Sequence, residues 1–396
     1  MKEQFVRDLN VKDDVDSFFL VKHIAVMEAK DGKNYLNVVL ADCTGDLESR
    51  KWHDAQEVAD AITRGDYVRA TGKINQFQGR LQLIINNLSK IDNREIDKGD
   101  FTPKSASSAD LMMEELLKYV AELDDVYIRD LLQNMLFDTD IARRLKCWYA
   151  GKNIHHAYEA GLLEHILSCT RLAVHLSSLY KVNHNYVVAG AVLHDLCKIY
   201  ELSEGPLVDY TDEGKLIGHL IKATEIVDHF ASKIRGFPTS IKIHLKHIVI
   251  SHHGELEYGS PKVPQTAEAY LVHLIDMMDS KMNSVARAIT ADRTVGRWTG
   301  MIKHLDCVLF KNELPTYTEY LPDKTADKTT DKTVEKGVDK TGEKNVPKEK
   351  LEEKSKSKSD KKSDGTLTYT MARMLEGLKE NGKDNSKDNQ SSEGEE

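Results

Sequence analysis

Apolar and polar positions alternate in short runs through the first ninety residues, the two-residue period of strands that turn one face to a core. Residues 15–27 and 35–40 are rich in β-branched and aromatic side chains, with Asp31-Gly32 marking the turn between them. Residues 46–52 follow Gly45 as a third strand, and residues 53–62 read as a short helix. Residues 67–74 and 80–88 make a hairpin around the loop 75–79. Three strands, a short helix and two further strands is the order of an OB-type Greek-key barrel, placed here at residues 1–92. Another small five-stranded barrel or sandwich fits the same order.

A polar stretch with Gly99, Pro103 and a Ser/Ala run makes residues 93–110 a linker. The period then changes. Leu111, Met112, Leu116, Leu117 and Val120 recur at helical spacing behind Asp110, the predicted N-cap, and the same texture returns over 161–179, 186–196, 215–230, 241–251 and 266–289. Residues 111–320 are expected to form one all-α domain, making the chain an α+β multidomain protein. From 323 to 344 an acid-Lys pair recurs every four residues, and the whole of 321–396 has almost nothing apolar to bury, so this segment is predicted to be disordered. Its one apolar island, residues 366–378, reads as a frayed remnant.

Composition narrows the function. The 396 residues carry a net charge of −9, of which the near-neutral tail accounts for only −1. So acidic a body excludes duplex binding by bulk electrostatics, which needs a basic surface that releases counterions from many phosphates. Five cysteines without a Cys-x-x-Cys pair indicate neither a disulfide framework nor a zinc ribbon. No apolar run approaches the ~18 residues of a membrane span, and the first residues lack the layout of a secretory signal. A cytoplasmic protein is expected.

Sixteen histidines are many for this length, and their placement carries the chemistry. His165, the pair His194-Asp195, His219, the pair His252-His253 and Asp276 each sit among bulky aliphatic residues, separated by 29, 24, 33 and 23 residues, roughly one helix plus a connection each time. A buried imidazole or carboxylate costs several kcal/mol unless paired or ligated. Five helices that each bring such a group to one point make a metal centre, and the mixture of imidazole and carboxylate suits Mn, Fe, Co, Ni or Zn better than an all-oxygen Mg site. A bridging carboxylate beside His194 allows two ions. On the barrel, Phe77 at a hairpin tip with Lys73 and Arg80, Tyr35, Trp52 with Lys51, and Tyr67 with Arg69 are aromatic–basic pairs suited to stacking single-stranded bases. No G-x-x-x-x-G-K-[ST] loop or G-x-G-x-x-G fingerprint occurs.

His165, His194-Asp195 and Asp276 resemble the H…HD…D signature of HD-domain metal-dependent phosphohydrolases, with His219 and His252-His253 as in the two-metal form. Ile154-His155-His156, Gly161-Leu162-Leu163-Glu164-His165, His194-Asp195-Leu196 and Ser251-His252-His253-Gly254 extend the likeness to the YhaM family of bacterial 3′→5′ exoribonucleases, which join an OB-type domain to an HD domain. The resemblance covers residues 1–320. It implies one ion held by His165, His194, Asp195 and Asp276, and a second held by Asp195, His219, His252 and His253. Lys198 would meet a substrate phosphate, and Asp195 and Lys198 would be catalytic. Cys197 stands where many HD proteins have glycine and is expected to be packed. Asp279 is the rival of Asp276 and is read as supporting the ligands; His155 and His156 would contact substrate or brace the site. The expected cofactors are two divalent ions, Mn, Co or Fe in preference to Mg or Zn. The expected partner is single-stranded RNA, with single-stranded DNA a further substrate and a homo-oligomer allowed. Hydrolysis of a small nucleotide with a regulatory barrel, or strand binding without catalysis, are the alternatives.

Overall fold

The computed structural model describes residues 2–312 apart from 93, 95, 153–155 and 295. His155 and the charged tail, with its apolar island at 366–378, therefore lie outside the described residues. Five strands, β1 (Asp14–Glu28), β2 (Asn34–Asp42), β3 (Gly45–Lys51), β4 (Tyr67–Phe77) and β5 (Arg80–Lys90), close into a barrel in the order β1-β2-β3-β5-β4. Every pairing is antiparallel except β3 with β5. Inward positions alternate as the sequence pattern requires: Phe19, Val21, Leu36, Val38, Leu40, Val68, Ala70 and Leu83 are fully buried, and α1 (Ala55–Ala61) adds Ala55 to this core. The β4–β5 hairpin is tighter than its sequence suggests. Asn75, Gln76 and Phe77 still pair across it, which leaves Gln78-Gly79 as the turn.

The stretch read as a linker is pinned in place. Phe101 is buried against Leu20 and Tyr67, its ring edge-on to Tyr67 at 4.9 Å, and Cys43 N–H donates to the Asp100 carbonyl. Tyr67 therefore belongs to a packed cluster and presents no face to a ligand.

The helical region comprises α2 (Ala109–Ala121), α3 (Val126–Leu136), α4 (Thr139–Leu145), α5 (Gly161–Tyr180), α6 (His184–Leu193), α7 (Lys198–Glu201), α8 (Asp212–Leu216), α9 (Gly218–Ser232), α10 (Thr239–Ser251) and α11 (Ala267–Ala291). The starts of α3, α4 and α11 are capped by Asp125, Asp138 and Thr266, whose side chains accept backbone N–H groups of the first turn. The predicted cap Asp110 lies one residue inside α2, which starts behind Ser108, and it receives Lys146 instead. The all-α texture also ends sooner than expected: after α11, residues 298–310 make two short antiparallel bridges, Trp298 with Phe310 and Ile302 with Cys307.

Helix α6 is the axle of this domain. Every residue from Val187 to Leu193 is buried, and α3, α5, α10 and α11 pack around it. Gly190 lets α10 and α11 approach, because a Cβ there would lie 2.7 Å from both Ile248 Cγ2 and Val272 Cγ2. Branched side chains at both contacts leave little room to yield. Gly190→Ala gains about 1 kcal/mol of helix propensity against an overpacking cost of ~1–3 kcal/mol. Urea unfolding of the variant is expected to show net destabilisation, with Gly190→Val worse.

Candidate functional site

Five helix ends and one helix middle meet at the buried end of α6. His165 comes from the first turn of α5, His194 caps α6 and Asp195 follows it, Lys198 opens α7, His219 lies at the start of α9, and His252 caps α10. Asp276 and Asp279 project from one face of α11, a turn apart. His165, His194, Asp195 and His252 are at most 1% exposed.

Two groups of donor atoms form around Asp195. On one side His165 Nε2 lies 3.3 Å from both Asp195 Oδ2 and Asp276 Oδ1 and 3.0 Å from His194 Nε2, which is itself 3.6 Å and 3.8 Å from the two carboxylates. On the other side Asp195 Oδ1 lies 3.5 Å from His219 Nε2 and 3.5 Å from His252 Nε2, with His253 in the same cluster. Ligands held at ~2.1 Å from one ion sit about 3–3.5 Å apart, so these separations suit a divalent cation.

The outer partners fix how each ring points. His165 Nδ1–H faces Asp279 Oδ2 at 2.7 Å, His194 Nδ1–H donates to the Ala191 carbonyl at 2.9 Å, and His219 Nδ1–H faces Glu201 Oε1 at 2.9 Å. His252 and His253 donate in the same way to the carbonyls of Val249 and Tyr258, at 2.7 and 3.0 Å. All five rings thereby turn Nε2 inward, the arrangement that selects a ligating tautomer. Asp195 Oδ1, His219 Nε2 and His252 Nε2 are buried with no hydrogen-bond partner among the described residues. Each such orphan costs ~1–3 kcal/mol, and together they have the donor chemistry of a divalent metal site.

The electrostatics agree. Burial works to raise the Asp195 carboxyl, but Lys198 and His194, with His165 at 3.3 Å, hold it well below the usual carboxylate range. Asp276 and Asp279 are likewise held low against their burial, chiefly by His165 for Asp276 and by His156 and His165 for Asp279. Burial pulls His165 down, but Cys169 and three carboxylates outweigh it and raise it well above the ordinary imidazole value. The cluster demands positive charge. Burial lowers His194 to about 3, so it remains a neutral donor.

Lys198 Nζ rests 2.6 Å from Asp195 Oδ2, so its ammonium is on the carboxylate rather than open to an incoming phosphate. Cys197 is fully buried, and burial pushes its thiol up. Asp279 stands behind His165: its Oδ2 also meets His156 Nε2 at 2.9 Å, and Ser168 Oγ–H donates to its Oδ1. His156, at φ 45°, is held between Asp279 and the Tyr158 hydroxyl, bracing the site from within. Sequence reading missed Glu201, Ser168 and Tyr158. They show no periodicity, and their signal is only proximity in the chain to His194-Asp195, His165 and His156.

On the barrel, Tyr35 and Trp52 lie against each other with ring centroids 5.0 Å apart, and the Arg50 guanidinium sits 5.2 Å over Tyr35 and 5.1 Å over Phe77. Trp52 is 44% and Phe77 48% exposed. Arg50, absent from the sequence reading, joins these three aromatics into one face, and its buried Nε has no hydrogen-bond partner among the described residues. Arg80 pairs with Phe77 across the hairpin. The other predicted cations do not join this face. Arg69 is bound to Asp16 through two 2.7 Å contacts, Lys73 faces Asp14 at 3.5 Å, and Lys51 is buried against the Asn86 carbonyl.

The family profile described as HD domain matches residues 162–281, and that described as OB-fold nucleic acid binding domain matches residues 21–91. The chain carries an OB-fold domain followed by an HD domain. Among solved structures it is similar to the second OB-fold domain of replication protein A from Methanococcus maripaludis, at 18% identity over 24% of this chain and 97% of that one, TM-score 0.20. It is also similar to the single-stranded DNA binding protein of Thermus aquaticus, at 15% identity over 24% of this chain and 45% of that one, TM-score 0.19. An HD domain implies a metal-dependent phosphohydrolase, and its union with an OB domain supports a hydrolase that acts on nucleic acid. Among the described residues no helix is long and apolar enough to cross a membrane.

Burial, with His252 and His219 beside it, lowers His253 to about 4. An unfolded histidine takes its proton near 6.5, so the unfolded chain binds more protons between about pH 4 and 6.5 and His253 makes stability rise with pH across that window. In EDTA, guanidinium unfolding at pH 5 and pH 7 is expected to show a smaller pH dependence for His253→Asn than for the unaltered chain.

Proposed function

We propose that this protein is a metal-dependent 3′→5′ exonuclease that hydrolyses single-stranded RNA, and single-stranded DNA as well, releasing nucleoside 5′-monophosphates. The observation that carries the reading is the position of Asp195, whose two carboxylate oxygens face two separate sets of inward-turned donors. His165, His194, Asp195 and Asp276 would hold one divalent ion, and Asp195, His219, His252 and His253 a second. Divalent ions held by these residues would lower the pKa of bound water toward neutral and offset charge on the phosphoryl oxygens. Asp279 and Glu201 keep the His165 and His219 rings aimed, and Ala191 and Val249 do the same for His194 and His252. Lys198, raised by Asp195 and Asp276 against the effect of its burial, keeps its proton and holds a fixed positive charge on Asp195, beside the place the phosphate would take. Tyr35, Arg50, Trp52 and Phe77 hold the strand by stacking, which needs no bulk positive charge. The 3′→5′ polarity and the monophosphate product follow from the likeness to the YhaM exoribonucleases. The donor set suits Mn, Fe, Co, Ni or Zn better than Mg, and the reading takes Mn, Co or Fe from that set.

Oligonucleotides labelled at the 3′ or the 5′ end, with a panel of free nucleotides, test the reading in the presence of Mn²⁺. Shortening from the 3′ end is expected. Hydrolysis of free nucleotides alone would make the chain a small-nucleotide phosphohydrolase, and binding without turnover would remove catalysis from it. Asp195→Ala is expected to lower turnover by about 10³-fold, the scale of losing a preorganised charge-stabilising group, while strand affinity holds. Trp52→Ala and Phe77→Ala are each expected to weaken single-strand binding by roughly ten-fold, since one stacked base contributes ~1–3 kcal/mol. Fluorescence anisotropy in EDTA measures this.

A further inference from the structure

A cavity of about 390 Å³ opens where the barrel meets the helical region, outside both the metal cluster and the aromatic face. Its polar wall is Lys22 and His23 from β1, Arg64 from the loop before β4, and Lys152 from the segment ahead of α5. Its apolar wall includes Phe101, Tyr149 and Leu207. Among the described residues no carboxylate lines it, on a body whose net charge is acidic.

Three features point to a ligand. The Lys22, Arg64 and Lys152 cations share two carboxylates: Lys22 meets Asp46 at 2.6 Å, while Arg64 and Lys152 divide Asp209 at 3.3 and 3.0 Å. These pairs are partly exposed, each worth ~0–1 kcal/mol, so a phosphate can draw their cations away at small cost. Tyr149 is only 6% exposed, and its hydroxyl has no hydrogen-bond partner among the described residues. Nothing in the packing uses this hydroxyl, whose burial without a partner costs free energy. Finally, a cavity of this size with cations on one wall and aromatic and aliphatic groups on the other suits a small ligand with one charged and one planar end.

We propose that this seam cavity binds one nucleotide, its phosphate against Lys22, Arg64 and Lys152 and its base toward Tyr149, Phe101 and Leu207, with the Tyr149 hydroxyl bonded to it. The nucleotide is a unit of a bound strand or a free monophosphate, which offer the same chemistry. The site does not depend on the metal reading, since none of its residues belongs to the metal cluster.

Fluorescence anisotropy of a labelled 12-residue oligoadenylate and calorimetry of adenosine 5′-monophosphate, both on the full chain in EDTA, measure binding without turnover. Arg64→Ala/Lys152→Ala is expected to weaken binding of at least one probe by about 10-fold or more, the scale of a lost charge-assisted hydrogen bond. Tyr149→Phe is expected to weaken the same probe by about 2–10-fold with no fall in Tm, because the hydroxyl it removes bonds to nothing in the free protein. A loss for the monophosphate identifies a free nucleotide as ligand, and a loss for the oligoadenylate alone identifies a strand unit. A loss confined to the double variant, with Tyr149→Phe binding like the unaltered chain, reports reduced positive charge or a loosened seam and overturns the site. Unchanged affinities in both variants, or no binding of either probe, overturn it too. Turnover that survives Asp195→Ala would defeat the nuclease reading and leave this result untouched.

Discussion

A carboxylate that is 1% exposed, ringed by imidazole nitrogens and a lysine, is the constraint around which the helical domain is organised. In a low-dielectric interior an ionised Asp195 is tolerated only if positive charge is supplied on both of its oxygens. Oδ2 finds Lys198 and a raised His165, but Oδ1 finds two imidazoles that have already committed their protons elsewhere. An acceptor facing two acceptors is unstable without a cation between them. Five helices thus converge on a point that protein atoms alone leave unbalanced, and the imbalance has the sign that a divalent ion corrects.

Convergence of that kind needs rigid supports. Three of the five Nδ1 partners, Ala191, Val249 and Tyr258, are main-chain carbonyls. Two of these belong to the helices that carry the ligands, so ring direction follows directly from helix position. The other two partners are carboxylates, Asp279 and Glu201, held in turn by Ser168, His156 and the His219 amide. Helix α6 fixes part of this frame, since its glycine at 190 sets the approach of α10 and α11, which carry His252 and Asp276.

Periodicity made much of this legible. Inward alternation on β1 to β5 placed the barrel, and isolated polar residues on otherwise aliphatic helices placed His165, His194, Asp195, His219, His252 and Asp276. Such residues stand out because burial makes them costly, so the pattern itself advertises a compensating contact. Glu201, Ser168 and Tyr158 were hidden because each sits where a polar residue is ordinary, and only the fold brings it to a ring nitrogen. Arg50 was hidden for a related reason: on a strand it looks like any solvent-facing cation, and its place between Tyr35 and Phe77 is set by β3 lying between β2 and β5. Arg69 and Lys73 read differently. Proximity to aromatics in sequence suggested a binding face, and across the ladder their partners are Asp16 and Asp14, through contacts open to solvent.

Packing also ties the barrel to the metal cluster. Leu207 inserts into the Leu20, Tyr67 and Phe101 cluster and comes within 3.3 Å of where a side chain on Gly65 would lie. The loop that carries Leu207 leaves directly from Glu201, which holds the ring of His219. The barrel is therefore part of the scaffold behind the second set of donors, because the loop it packs against begins at the residue that aims His219.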